Sequence, residues 1–87
     1  MKPVTLFYQP RCPFCKKALG EGEDRRRQEP YSRIEIRMID ELAEPEVADR
    51  YDYYYVPTFY VGDKKVHEGG IMPDEVEAVL RMALDER

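Results

Sequence analysis

The distribution of apolar residues along the chain predicts four strands. The run from Val4 to Tyr8 is apolar on both faces and rich in strand-forming residues, as in a central strand covered on each side. Between Ile34 and Met38 apolar and polar residues alternate, which is typical of a strand with one buried face near a sheet edge. Segments 58–61 and 65–68, joined by the turn residues Gly62-Asp63, predict a β-hairpin.

Three helices are predicted between and after these strands. The first begins at Pro13, has an apolar stripe over two turns only, and ends in the charged segment 23–27, which is expected to be solvated. The second begins at Pro45 and is expected to stop near Tyr51. The third begins at Pro73 and carries apolar residues at helical spacing, which are Val76, Val79, Leu80, Ala83 and Leu84. The order β-α-β-α-β-β-α then favours a sheet with a central first strand and helices on both faces.

Length and composition fit one small folded domain spanning residues 1–87. Hydrophobic residues make up 43% of the chain and charged residues 37%, as in ordinary globular proteins. The net charge of −4 argues against nucleic acid as a partner, because phosphate binding requires a basic face. Nothing in the sequence resembles a signal peptide or a membrane span. We therefore expect a cytoplasmic protein that does not contact membranes.

The only two cysteines, Cys12 and Cys15, stand at the start of the first predicted helix. Residues three apart on a helix have Cβ atoms about 5–6 Å apart, which is within reach of disulfide geometry. Pro13 suits the first helical position, so Cys12 is expected at the N-cap. There the free backbone N–H groups and the positive end of the helix dipole favour a thiolate. We therefore predict that Cys12 is a redox nucleophile.

Three other interpretations of the cysteine pair remain open. A structural disulfide closing so short a ring would stabilise the fold by only about 2 kcal/mol. A zinc site usually needs four Cys or His ligands, and beyond the pair the chain has only His67, so two chains would have to share the metal. Two inert buried thiols are the third interpretation. In the reducing cytosol, however, a Cys-x-x-Cys pair is more often catalytic than structural.

Three motifs in this order resemble the thioredoxin superfamily, and within it the glutaredoxins. They are Cys12-Pro13-Phe14-Cys15 after the first strand, Val56-Pro57-Thr58 before the hairpin, and Gly69-Gly70 before the last helix. Thioredoxins carry a tryptophan before Gly-Pro, which this chain lacks, and a buried aspartate where this chain has Leu6. The resemblance implies an α/β, thioredoxin-like fold of βαβαββα order, with a four-stranded mixed sheet flanked by helices.

The resemblance also implies roles for individual residues. A cis bond is expected before Pro57, and the Val56 backbone is expected to pair with an extended substrate opposite Cys12. Considered as residues alone, Gly69-Gly70 equally fits a flexible turn, and Asp74 a helix-stabilising carboxylate. Gln9 stands where glutathione-using members usually carry a basic residue. The residues predicted to bind substrate are Arg11, Pro13, Phe14, Val56, Pro57, Gly69, Gly70 and Asp74.

Two further features near these motifs are open to more than one interpretation. Tyr51, Tyr53, Tyr54 and Tyr55 lead into Pro57, where their rings either line the cleft or pack under the loop. His67 lies on the last strand of the hairpin and is expected to be solvated.

The activity implied by the resemblance is dithiol–disulfide oxidoreduction. Cys12 would attack a protein disulfide or a glutathionylated protein, and Cys15 would resolve the mixed disulfide. We expect a monomer without a metal or a tightly bound cofactor that takes part in electron transport and cell redox homeostasis. Glutathione is the expected reductant, and an enzyme of the thioredoxin-reductase type is the alternative. A second hypothesis is an iron–sulfur carrier in which two chains hold a cluster through Cys12 and glutathione.

Overall fold

Strand β1 (Val4–Tyr8) lies in the middle of a four-stranded mixed sheet whose order is β2-β1-β3-β4. The computed structural model describes residues 2–85. β1 pairs in parallel with β2 (Ile36–Asp40) and antiparallel with β3 (Thr58–Val61). β3 continues into β4 (Lys64–Glu68) as an antiparallel hairpin. The predicted central position of the first strand and edge position of the second are both confirmed.

The helices are α1 (Pro13–Arg26), α2 (Pro45–Ala48) and α3 (Pro73–Asp85), and a short 3₁₀ turn occupies Tyr31–Arg33. All three helices begin at the predicted prolines, whose fixed φ suits the first helical position. α2 ends earlier than predicted, and single turns carry the chain on to Tyr51. Within residues 2–85 no helix has the length and apolar character needed to cross a membrane.

The predicted start of β2 at Ile34 is wrong by two residues. Ile34 caps the 3₁₀ turn that precedes the strand, and its N–H donates to the Tyr31 carbonyl at 3.1 Å. Ile34 is buried in the core as part of this turn. Pairing with β1 begins at the next residue, where the Glu35 carbonyl accepts from the Val4 N–H at 2.9 Å. An apolar residue before a strand therefore extended the alternating pattern without belonging to the strand.

Apolar side chains fill both faces of the sheet. On one face Val4 and Leu6 pack with Phe59 and with the buried sides of α1 and α3. On the other face Phe7 packs with Tyr60, with α2 and with the loop that follows it. Successive side chains of a strand point to opposite faces, so β1 supplies both layers. The prediction of helices on both faces is confirmed.

The sequence predicted that the charged end of α1 is solvated, but the structure shows that it also contacts other elements. α1 continues through two glycines, and Gly22 is buried close to the Ile36 side chain. Arg25 pairs with Glu77 of α3 at 3.2 Å. Glu77 also accepts from the Tyr31 hydroxyl at 3.1 Å and from Arg81 at 2.8 Å. Ion pairs and hydrogen bonds thus join α1, the 3₁₀ turn and α3 where the apolar stripe of α1 has ended.

Candidate active site

Cys12 lies at the N-cap of α1, as predicted. Its backbone is extended (φ −82°, ψ 119°), and Pro13 occupies the first helical position. The Cys12 Sγ accepts a hydrogen bond from the Cys15 N–H at 3.3 Å. The residue is partly exposed and its thiol is free. A hydrogen-bond donor and the positive end of a helix therefore face a sulfur that solvent can reach.

Cys15 is enclosed, whereas Cys12 is partly exposed. The Cys15 side chain is 0% exposed. Burial raises the pKa of the Cys15 thiol to about 12, and the hydrogen bond with Cys12 acts in the same direction. The Gln9 backbone N–H opposes this rise in the Cys15 pKa, and the charge of Glu41 adds to it. One thiol of the pair is thus accessible, while the other is enclosed and stays protonated at neutral pH.

The loop before β3 lies directly against Cys12. The peptide bond between Val56 and Pro57 is cis, as the resemblance had implied. The Cys12 Sγ lies 4.0 Å from the Val56 carbonyl oxygen, which is within contact range for a sulfur donor. The Val56 carbonyl therefore borders the reactive sulfur.

The two glycines before α3 contact the Pro57 loop and the start of α1. The Gly69 N–H donates to the Pro57 carbonyl at 2.9 Å, and the positive φ of Gly69 (92°) is one that glycine adopts without strain. The Phe14 ring lies against Gly70, so that an added Cβ there would come within 3.4 Å of it. A hydrogen bond thus ties Gly69 to Pro57, and Gly70 lies against Phe14, so both glycines are in contact with neighbouring elements.

His67 takes part in this arrangement, although it was expected to be solvated. Its ring is largely buried, and its Nε2 donates to the Gly70 carbonyl at 2.9 Å. Its Nδ1 lies 3.6 Å from a carboxylate oxygen of Glu75. His67 therefore holds the glycine segment in place from the neighbouring strand.

The remaining predicted binding residues lie at the rim. Arg11 and Pro13 flank Cys12 in the chain and are exposed. Asp74 is exposed on the first turn of α3, where a carboxylate stabilises the positive end of the helix. Glu75, also in the first turn of that helix, accepts from the Met72 N–H at 3.1 Å. The position of Asp74 thus fits the helix-stabilising interpretation.

Glu41 was not among the predicted site residues. It follows β2, and its carboxylate accepts from the Tyr53 hydroxyl at 2.7 Å and from the Gln9 side-chain amide. Its place directly after β2 could have identified it from the sequence. The carboxyl ends of the parallel strands β1 and β2 lie side by side, so a residue there is close to the one that follows β1. Its charge reaches Cys15 and disfavours the thiolate of that residue.

Glu68 is a second residue that the sequence did not single out. Its carboxylate accepts from the backbone N–H groups of Tyr54 and Tyr55, the latter at 2.9 Å, and from Lys65 at 2.8 Å. These donors, Lys65 first, lower the pKa of Glu68 to about 2. Glu68 thereby fixes the backbone just before Val56. A local sequence pattern could not predict this contact, because Tyr55 and Tyr54 are 13 and 14 residues away from Glu68.

The pKa of Glu68 predicts a pH-dependent contribution to stability. Its folded-state pKa of about 2 lies below the ordinary value of 4.5, so folding favours the ionised form. The stabilisation is complete above about pH 4.5 and is lost as the pH falls toward 2. We expect Glu68→Gln to lower the Tm at pH 6, and the difference from wild type to shrink steadily between pH 4.5 and 2.5. Thermal unfolding curves that stay equally far apart over this range would contradict the assignment.

The four tyrosines before Pro57 divide into two pairs. Tyr51 and Tyr53 pack on Phe7, with ring centroids 4.7 and 4.8 Å from it. Tyr54 and Tyr55 point outward and are 83% and 70% exposed. Packing under the loop is thus correct for the first pair only.

Solved structures that resemble this chain are thioredoxin-like. Reduced desulfothioredoxin from Desulfovibrio vulgaris Hildenborough matches with a TM-score of 0.59 and 27% sequence identity, over 93% of this chain and 80% of that one. The first two thioredoxin domains of Saccharomyces cerevisiae Eps1p match with a TM-score of 0.61 and 18% identity, over 97% of this chain. This chain covers 36% of the two-domain structure. No protein-family model and no curated protein matches the sequence.

These neighbours confirm the thioredoxin-like fold expected from the motifs. Together with the close pair of Cys12 and Cys15, they indicate a thiol–disulfide oxidoreductase. The glutaredoxin subtype rests on the motifs of the sequence alone.

Proposed function

We propose that this protein is a glutaredoxin-like dithiol–disulfide oxidoreductase that reduces protein disulfides. The observation that carries the proposal is the asymmetry of the cysteine pair. Cys12 is partly exposed, accepts a hydrogen bond from the Cys15 N–H and lies 4.0 Å from the Val56 carbonyl oxygen, whereas Cys15 is enclosed. An accessible nucleophile next to an enclosed resolving thiol suits a two-step exchange.

In the first step the Cys12 thiolate attacks one sulfur of a substrate disulfide. A new disulfide bond joins Cys12 to that half of the substrate, and the other half leaves as a thiolate that takes up a proton. In the second step the Cys15 sulfur loses its proton and attacks the Cys12 sulfur. The Cys12–Cys15 disulfide forms and the second substrate thiol departs, so two electrons pass from the protein to the substrate.

The structure gives each cysteine a property suited to its step. The Cys15 N–H stabilises negative charge that develops on the Cys12 sulfur and so favours both attack and departure of that sulfur. Burial raises the pKa of Cys15, so only a small fraction of this thiol is ionised at neutral pH. We therefore expect resolution to become faster with rising pH and to limit turnover near neutrality.

Two donors compete for the role of reductant. Glutathione is slightly favoured, because the Cys-Pro-Phe-Cys motif and the glycine pair resemble glutaredoxins. An enzyme of the thioredoxin-reductase type is the alternative, because Gln9 replaces a basic residue that glutathione-using members usually carry. Carboxylates of glutathione would need cationic or backbone N–H partners near Cys12, and Arg11 is the basic residue closest to it in the chain.

The deciding experiment uses Cys15→Ser and a glutathionylated peptide. If glutathione is the donor, it attacks the mixed disulfide on Cys12 directly, and the variant keeps most of the wild-type activity in an assay coupled to glutathione reductase. If the variant loses all activity while the wild type still works with thioredoxin reductase, the glutaredoxin-like subtype is wrong. Wild type without activity toward any disulfide, with either donor, would refute the proposed function itself.

A further inference from the structure

The exposed tyrosines beside the active site are held by a backbone that is already fixed. The Tyr55 N–H donates to Glu68 at 2.9 Å, and the Tyr55 carbonyl accepts from the Thr58 hydroxyl. The Tyr54 N–H also donates to Glu68. Tyr60 ties down the same loop by donating its hydroxyl to the Asp52 carbonyl at 2.7 Å. Both main-chain groups of Tyr55 are thus satisfied inside the protein while its ring is 70% exposed.

An arrangement of this kind suits recognition. Placing a large aromatic ring in water gains nothing for folding, whereas burying it against a partner removes apolar surface from water. Because the backbone is fixed beforehand and a tyrosine has only two side-chain torsions, little conformational entropy is lost when a partner binds.

Tyr54 also borders a shallow groove between the end of β2 and α2. Leu42, Pro45 and Asp49 line this groove together with Tyr54. Leu42 is 68% exposed, so a second apolar side chain lies open beside the tyrosine. Residues 40–55 contain six acidic residues and one basic residue, Arg50. The groove therefore combines apolar contact surface with negative charge.

The active site determines what reaches this surface. Tyr55 is bonded to Val56, whose carbonyl oxygen lies 4.0 Å from the Cys12 sulfur. A disulfide positioned for attack by Cys12 lies alongside Val56, and in a protein substrate the residues flanking that disulfide extend past Val56. The next residues along this loop are Tyr55 and Tyr54. The molecule that reaches them is therefore the polypeptide that carries the disulfide.

We propose that one surface, the tyrosine surface, binds the chain that flanks the target disulfide and favours a basic residue next to an apolar one. The tyrosine surface consists of Leu42, Asp49, Tyr54 and Tyr55. This inference rests on the proposed function and specifies its substrate class. The apolar side chain buries against Leu42 and the rings, and the basic one gains from the acidic groups and from the faces of the tyrosines. Centrally placed aromatic residues of this kind commonly carry much of the binding energy of an interface.

The test compares two peptides that contain the same disulfide. One has arginine and leucine beside the cysteine, the other glutamate and serine, and bis(2-hydroxyethyl) disulfide serves as a substrate without a polypeptide. We expect wild type to reduce the arginine-leucine peptide with a kcat/KM at least about fivefold higher than that of the other peptide. Higher ionic strength should shrink the difference, because screening weakens the attraction between opposite charges.

Variants then locate the preference on the protein. The double variant Tyr54→Ala/Tyr55→Ala should lower the ratio of kcat/KM for the arginine-leucine peptide to that for the small disulfide at least about fivefold. Asp49→Asn should reduce discrimination between the two peptides, because Asp49 lines the groove beside Tyr54. Met82→Ala is the matched control, because this exposed apolar residue lies on α3 and should leave every ratio at its wild-type value. Far-UV circular dichroism checks that each variant is folded.

The outcomes separate the inference from the function on which it rests. If wild type reduces both peptides equally well, or the tyrosine variant slows all three substrates by the same factor, the tyrosine surface is not a docking surface. In either case reduction of the small disulfide by wild type, and its loss in Cys12→Ser, would still support the oxidoreductase. If wild type reduces none of the substrates, both proposals are wrong.

Discussion

Replacing Cys12 with serine is expected to abolish disulfide reduction, with a loss of at least roughly 10³-fold in rate. A hydroxyl group neither ionises near neutral pH nor forms a disulfide, so the first step of the exchange has no nucleophile. Cys15 does not substitute for it, because its side chain is 0% exposed and its pKa is raised to about 12 by burial. Reduction of a disulfide-bonded peptide under excess reductant measures the effect.

The matched variant is Cys15→Ser, which retains the nucleophile and loses the resolving thiol. With a peptide disulfide and no added thiol, it should accumulate a covalent adduct on Cys12 that mass spectrometry detects. Reduced wild type treated briefly with iodoacetamide at pH 7 should be alkylated at Cys12 and not at Cys15. Preferential alkylation of Cys15, or activity retained in Cys12→Ser, would show that the roles of the two cysteines are assigned wrongly.

Replacing Phe7 with alanine is expected to destabilise the protein by about 3–5 kcal/mol, which is the usual cost of removing a buried phenylalanine. The Phe7 ring is 0% exposed and lies 4.7, 4.8 and 5.8 Å from the rings of Tyr51, Tyr53 and Tyr60. Its removal opens a cavity in the smaller of the two cores, beneath the loop that carries Val56. Domains of this size are stable by only about 5–15 kcal/mol, so this loss removes a substantial part of the free energy of unfolding.

Urea unfolding followed by circular dichroism gives the free energy of each variant. Tyr54→Ala is the control, because it also deletes an aromatic ring, but one that is 83% exposed. Its free energy of unfolding should lie within about 0.5 kcal/mol of wild type. A comparable loss in both variants would mean that Phe7 is not the centre of a packed cluster.

Much of the fold follows from local sequence patterns. β1, the hairpin and α3 lie where their apolar periodicity predicts, because each of these elements buries a regular face. The misplaced boundaries have non-local causes. Ile34 caps a 3₁₀ turn and is buried in the core. The charged end of α1 is helical as predicted, but its Arg25 pairs with Glu77 on another helix instead of being simply solvated. Neither contact is visible in a window of neighbouring residues.

The predicted site shows the same division. Motif residues stand at fixed positions relative to strand and helix ends, so the sequence correctly placed Cys12 at the N-cap and Val56 beside it. Glu41 and Glu68 are two of many acidic residues in the chain, and the groups that they bind are distant in sequence. Gln9, for example, is 32 positions from Glu41. Only the folded chain distinguishes such carboxylates from ordinary surface charge.

The position of β1 at the centre of the sheet has a consequence for the growing chain on the ribosome. One edge of β1 pairs with β2, which is made soon afterwards, but the other edge pairs with β3, where Val4 lies opposite Val61. Until residue 61 has emerged, an apolar strand keeps one row of backbone groups without its partner strand. Unpaired edges of this kind favour association between chains. Fragments that end before β3 should therefore tend to aggregate, because one edge of the apolar strand β1 would stay unpaired.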